Sequence, residues 1–266
     1  MFDREFFALG TLDCLSYRDS PIHRIDPRAQ VTASLIYVTA VVSFPRYEVL
    51  RLLPLSFFPL LVLVLGDIPF RFVAKKILLV SPFALFIGIF NPLLDRAPAF
   101  SLFGVTVTAG WVSFASIMVK FTLTVSTALL LVATTSFPGI CEALERMGFP
   151  RAFVTQLLFL YRFLFVLAEE AMRMVRAREN RSFGGRGREW RKTVPLFGTL
   201  LVRSFDRAER VYHAMLSRGF QGKVTSLRTF RFSGADLLFL LGVAGGTLLL
   251  RFVDFPLIVG RWVLGG

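Results

Sequence analysis

Apolar residues fall into five long runs with short polar breaks, at 29–44, 50–65, 77–94, 110–135 and 235–253. Runs this long with so few charges read as helices crossing a bilayer, whose hydrocarbon is spanned by about 20 apolar residues. The first two are a little short for an untilted crossing. Divided by Pro45-Arg46-Tyr47-Glu48, they read together as a tight membrane hairpin. Pro54 and Pro59 lie inside the second run, which a membrane helix tolerates when neighbours satisfy the freed carbonyls. Asp26 and Pro27 stand where an N-cap and a first-turn proline would open the first helix. Gly66-Asp67-Ile68-Pro69 ends the hairpin, and Arg71, Lys75 and Lys76 form a basic loop before the third run. Asn91-Pro92 and Asp95-Arg96 mark the far end of that run, and a loop to Val107 carries a short apolar patch at 100–105. Lys120, the one charge of the fourth run, suits either snorkelling or a contact with a partner. Ser233 with Asp236 three residues on resembles a capping box at the start of the last run.

Between the fourth and fifth runs the pattern becomes amphipathic, and three helices are predicted. The first, 138–147, ends at Gly148 and turns Glu142 and Glu145 to water, away from Ile140, Cys141 and Leu144. The second, 151–178, is apolar in its first half and charged in its second, where Glu169 and Arg173 are spaced for an i,i+4 ion pair. Gly184-Gly185-Arg186-Gly187 reads as a flexible break. In the third, 189–216, Leu200, Leu201, Phe205, Ala208, Val211, Tyr212 and Met215 recur at helical spacing, with Arg203, Asp206, Arg207, Glu209 and Arg210 filling the other face. The two long helices form a membrane-surface hairpin whose apolar faces meet spans, lipid or a neighbour. A rival reading makes 152–168 a further span. It places Arg162 near the bilayer centre, at about 2.5–3.5 kcal/mol, and carries 169–220 outside.

Charge sharpens the picture. The 266-residue chain is 55% hydrophobic with a net charge of +13, and its mean hydropathy is +0.63. A basic protein is either a nucleic-acid binder or a membrane protein with basic loops, and the apolar runs favour the second. Between Pro138 and Arg231 there are 18 Arg and Lys against 8 Asp and Glu, so +10 of the charge sits in this segment. The positive-inside rule makes this segment cytosolic, with the Arg71–Lys76 loop and the N-terminal stretch, and leaves the C-terminus outside. The expected fold is all-α: a polytopic membrane protein of about five transmembrane helices plus a cytosolic domain of three, two of them long and amphipathic. The segments are 1–28, N-terminal and cytosolic; 29–137, four spans; 138–233, the cytosolic domain; and 234–266, the final helix and C-terminus.

Catalytic chemistry is sparse. Cys14 and Cys141 form neither a disulfide framework nor a metal motif, and His23 and His213 stand apart from clustered ligands. The N-terminus Met1-Phe2-Asp3-Arg4-Glu5 lacks the basic start of a cleaved secretory signal. Gly187-Arg188-Glu189-Trp190-Arg191-Lys192-Thr193 echoes a phosphate loop, but Arg191 stands where a glycine is needed. A polytopic enzyme acting on a lipid substrate would need intramembrane Asp, Glu or His clusters, almost absent from the five runs. A stand-alone secondary transporter would favour internal repeats, and none is evident. The aromatics lie on apolar helix faces rather than on a stacking platform, against RNA binding.

Two triplets stand at helix ends, Ala177-Arg178-Glu179 and Ser217-Arg218-Gly219. An arginine there either complements the helix dipole or enters an acidic groove on a soluble partner, where its planar fork pairs with carboxylate. The run Arg173-Met174-Val175-Arg176-Ala177-Arg178-Glu179-Asn180-Arg181-Ser182-Phe183 resembles the first arginine signature of the T components of energy-coupling-factor (ECF) transporters. Arg207-Ala208-Glu209-Arg210-Val211-Tyr212-His213-Ala214-Met215-Leu216-Ser217-Arg218-Gly219-Phe220 resembles the second, and His23-Arg24-Ile25-Asp26-Pro27-Arg28-Ala29 resembles that family's approach to its first span. The resemblance covers residues 20–253 and is strongest to the cobalt-transport type, CbiQ. Members often carry Ala-Arg-Gly at both triplets, so Ala-Arg-Glu and Ser-Arg-Gly depart from the pattern and bear on the subgroup.

The resemblance implies a non-catalytic T component in the inner membrane, multi-pass, joining two ABC-type ATPase subunits to a substrate-binding membrane S subunit, with cobalt as the implied substrate. Arg178 and Arg218 would each enter one ATPase subunit, flanked by Ala177, Glu179, Ser217 and Gly219. Arg173, Arg176, Arg181, Arg207 and Arg210 would support the coupling helices. Besides the lipid bilayer no other partner is implied, nucleic acid included. No metal site or cofactor of its own is implied, the ATP being bound by the partner subunits.

Overall fold

The computed structural model describes residues 16, 18, 20–95, 98–102, 105–181, 189–222 and 232–252. They fall into two compact units, one reaching to Ser136 and resuming at 232, the other running from Phe137. The fold is that of an all-α polytopic membrane protein. Cys14, the glycine break at 184–187 and the C-terminal end beyond Phe252 lie outside the described residues.

In the first unit, α1 (Pro27–Ser43) opens as its sequence dictates, with Pro27 in the first turn and the Asp26 carboxylate accepting the Arg28 N–H at 2.9 Å. The second run is not one rod. It breaks into α2 (Val49–Leu52), a 3-10 turn at Leu53–Ser56, and α3 (Phe57–Leu65). Pro59 has no N–H to offer Leu55 one turn earlier, so the Leu55 carbonyl is served from outside the helix. The fully buried Tyr37 of α1 donates its hydroxyl to that oxygen at 2.8 Å, while its ring packs on Phe58 at 4.6 Å. Tyr37, Val41 and Phe44 thereby form one core cluster with Leu52, Leu55 and Leu123.

Helix α4 (Phe70–Gly88) begins seven residues before the apolar run does, N-capped by Pro69. Arg71, Lys75 and Lys76 therefore lie on its opening turns and not in a loop. Pro82 leaves the Leu78 carbonyl without an N–H, and Ser81 Oγ donates to it at 2.9 Å. After α5 (Phe90–Leu94) the expected loop is an antiparallel hairpin, β1 (Pro98–Leu102) with β2 (Val105–Thr108), irregular between Pro98 and Phe100. It leads into α6 (Ala109–Thr134), the central helix, against which α1 to α5 all pack. A Cβ on Gly110 would stand 2.6 Å from the Asn91 and Asp95 carbonyls, so only glycine allows this approach.

The closing helix α10 (Gly234–Phe252) packs on α1, and one carboxylate ties their N-termini. Asp236 accepts the Ser233 N–H at 2.6 Å, the bond its spacing predicts, and with its other oxygen the Asp26 N–H at 2.9 Å. Gln30 sews α1 to the end of α6. Its amide donates to the Ile22 carbonyl at 2.6 Å, and its oxygen accepts from Thr134 at 3.0 Å and from Thr135. Lys120 donates to the Phe44 carbonyl at 2.5 Å, and Arg251 donates to the adjacent Ser43 carbonyl at 3.2 Å. The structure gives Lys120 neither of the two roles expected of it but a bond within the chain.

Four described helices are long and apolar enough to cross a membrane: Phe70–Leu93, Ala109–Thr134, Arg151–Arg178 and Gly234–Phe252. Val49–Leu65 is apolar but shorter, and α1 has 17 residues with Gln30 and Ser34 buried. The third of the four includes the segment of the rival spanning reading.

Candidate functional site

The second unit starts with α7 (Phe137–Arg146), which buries Gly139, Cys141 and Ala143. Glu142, expected in water, has a side chain only 12% exposed and pairs with Arg146 at 2.5 Å, while Glu145 reaches Arg151 at 3.5 Å. The first pair is i,i+4 along the helix, so the partner folds over the acid. Burial pushes the Cys141 thiol up to about 11. Gly148, at φ +100°, ends α7, with the Gly148 N–H on the Glu145 carbonyl and the Phe149 N–H on the Leu144 carbonyl. Pro150 then N-caps α8 (Arg151–Glu179), whose Tyr161 stacks on Phe137 of α7 with ring centroids 4.6 Å apart.

Helix α9 (Glu189–Ser217) runs back along α8 in the opposite sense. Two contacts fix this. Arg203 pairs with Glu170 at 3.0 Å, and Phe220, just past the end of α9, meets Phe159 near the start of α8 with centroids 6.0 Å apart. The two arginine triplets therefore sit at opposite ends of the pair. At 1.5 Å per residue, Arg178 stands roughly 12 Å beyond the Glu170–Arg203 crossing in one direction and Arg218 roughly 22 Å in the other.

The triplets differ in how the backbone holds them. Ala177 and Arg178 lie in the last turn of α8; Asn180 C-caps it in helical geometry, with its N–H on the Arg176 carbonyl. Arg178 is half-buried, and the Glu179 side chain lies outside the described residues. The second triplet closes a Schellman turn. Gly219 adopts φ +78°, its N–H bonds to the Leu216 carbonyl at 2.9 Å, and the Phe220 N–H bonds to the Met215 carbonyl at 3.0 Å. Gly219 is in the left-handed region that glycine enters without penalty, and Phe220 is anchored on Phe159, so Arg218 projects from a fixed corner. Arg218 is exposed and makes no side-chain ion pair among the described residues. Ser217 returns its hydroxyl to the His213 carbonyl at 3.0 Å.

The supporting arginines divide. Arg173 takes the expected i,i+4 pair with Glu169 at 2.8 Å, and Arg176 and Arg181 are exposed around the first triplet. Arg207 and Arg210 line a cleft between α8 and α9 with Arg203 and Glu170. On α9, Val194, Phe197, Leu201, Phe205, Tyr212 and Leu216 recur at intervals of three, four or seven residues and are each 46–67% exposed, an apolar stripe that this unit leaves uncovered. Sequence reasoning missed the Glu170–Arg203 crossing and the Phe159–Phe220 anchor, which join residues 33 and 61 positions apart. Gly219 was the one readable signal of a fixed corner. Among the described residues no three His, Cys, Asp or Glu side chains gather to hold a metal ion.

Residues 18–228 match the family described as cobalt transport protein, CbiQ. The chain is 26% identical over 245 residues to the energy-coupling factor transporter transmembrane protein EcfT of Heliobacterium modesticaldum, covering 85% of this chain and 91% of that one. The cobalt transport protein CbiQ of Rhodobacter capsulatus is 35% identical over 100 residues, 37% of this chain and 41% of that one. An uncharacterised protein of Methanocaldococcus jannaschii is 25% identical over 233 residues, 83% of this chain and 78% of that one.

Proposed function

This chain belongs to the CbiQ family of cobalt transport proteins, and on that premise we propose that it couples two cytosolic ABC-type ATPase subunits to a substrate-binding membrane subunit in an ECF importer for cobalt. The observation that carries this reading is the pair of arginine triplets at opposite ends of one antiparallel helix pair. Arg178 and Arg218 each enter an acidic groove on one ATPase subunit, where a guanidinium fork pairs with carboxylate. Arg173, Arg176 and Arg181 hold positive potential around the first tip, and Arg207 and Arg210 lie along the helix that carries the second. ATP-driven closing of the two ATPase subunits draws the tips together and changes the angle at the Glu170–Arg203 crossing, a rigid-body step that needs stiff helices. The apolar stripe of α9 is the face that passes this motion to the substrate subunit. Residues 138–233 and the N-terminus lie on the cytosolic side of the inner membrane, where their positive charge favours them.

The test is co-purification followed by transport. Tagged wild-type chain is expected to bring down both ATPase subunits, and Arg178→Ala with Arg218→Ala to lose them while the chain still inserts and folds. Uptake of labelled cobalt is expected to stop in the double variant. Undiminished uptake in that variant would refute the coupling role, and uptake of another substrate by the wild-type assembly, with cobalt refused, would refute the cobalt assignment alone.

A further inference from the structure

We propose that the basic cleft between α8 and α9 binds the phosphate of one anionic phospholipid, with an acyl chain laid along α8. Among the described residues, three guanidiniums, those of Arg203, Arg207 and Arg210, line this cleft with one carboxylate, that of Glu170. Glu170 is already engaged by Arg203 at 3.0 Å, and Arg207 and Arg210 have no ion-pair partner among the described residues. The acids of the same stretch, Asp206 and Glu209, do not line the cleft, and Glu209 faces His213 at 3.9 Å. The described lining thus makes a cationic recess, three guanidiniums against one carboxylate, a match for a phosphodiester.

The apolar part of the recess selects a lipid over a free anion or an acidic peptide. Leu167 and Leu200 form the cleft's apolar wall. At about 100° per residue, Leu160, Leu164 and Leu167 share one face of α8. Leu164 is 43% exposed and Leu160 56%. An uncovered leucine track therefore runs from the guanidiniums into the apolar half of α8. Inorganic phosphate would leave that track wet, whereas a phospholipid covers both parts, headgroup on arginine and chain on leucine. The site lies apart from the arginine tips, at the Glu170–Arg203 crossing, so lipid binding can be read on the chain without the ATPase partners.

Native mass spectrometry of the full-length chain in detergent, titrated with phosphatidylglycerol and with phosphatidylcholine, tests this. The wild type is expected to bind phosphatidylglycerol in preference. Two arginines near a lipid surface contribute about 1 kcal/mol each, so Arg207→Gln with Arg210→Gln should lower that preference roughly thirtyfold. Glu170→Gln removes the one acid among the cleft's described lining residues and frees Arg203, so it should raise the affinity, a gain that loss of fold could not mimic. Unchanged phosphatidylglycerol binding in the double variant would overturn the proposal. So would inorganic phosphate displacing the lipid at equal concentration, which would make this a free-anion site. Loss of co-purifying ATPase subunits from the double variant at unaltered lipid binding would assign the cleft to a protein partner and overturn it as well.

Discussion

Replacing Tyr37 by Phe removes one oxygen and keeps the ring on Phe58, which isolates the hydroxyl that serves the Leu55 carbonyl. Pro59 cannot donate to that carbonyl, and the backbone contact left to it is an N–H of Phe57 shared with Pro54. In Tyr37→Phe the buried oxygen thus loses its best donor, a loss of about 1–3 kcal/mol in water-soluble proteins, and of about 0.6–1.7 for side-chain hydrogen bonds measured in a membrane bundle. We expect about 1 kcal/mol. Pro59→Ala supplies the missing N–H, so the same tyrosine substitution in that background should cost less than about 0.5 kcal/mol. The assay is reversible unfolding in mixed micelles for the four members of the cycle. Equal losses in both backgrounds would refute the reasoning, because the tyrosine would then be acting through packing and not by replacing the proline's absent donor.

Asp236→Ala should destabilise the first unit by about 2–3 kcal/mol in the same assay, since it strands the N–H groups of Asp26 and Ser233, and Asp236→Asn should cost less because one acceptor oxygen survives. Gly219→Ala meets no atom within 4 Å and so carries only the left-handed backbone penalty, about 1 kcal/mol. Faster amide exchange at Phe220 and weaker retention of ATPase subunits should accompany it. Cys141, with its thiol raised by burial from 9.0 to about 11, should stay almost wholly protonated at pH 8 and resist alkylation in a Cys14→Ser background. Because the neutral thiol is the form the fold prefers, its contribution to stability is intact below pH 9 and falls as pH rises from 9 towards 11. Rapid labelling of the folded protein at pH 8 would refute the burial argument.

The order of apolar runs, the two long amphipathic helices and Gly148, the glycine that ends α7, were legible in the sequence, because bilayer thickness, helical period and left-handed backbone are local constraints on residue type. The same is true of the Asp26 N-cap and of the Asp236–Ser233 bond. What lay beyond the sequence was which distant groups meet. Whether a proline breaks a span depends on a donor from another helix, here Tyr37 for Leu55. The start of α4 is the exception, a local one: Pro69 stands just before Phe70, and Arg71, Lys75 and Lys76 joined the helix although their charges read as loop. The antiparallel sense of α8 and α9, which sends Arg178 and Arg218 to opposite ends, rests on Glu170 finding Arg203 and on Phe159 finding Phe220. Periodicity fixes the face on which each of these residues lies; only packing decides which face it meets.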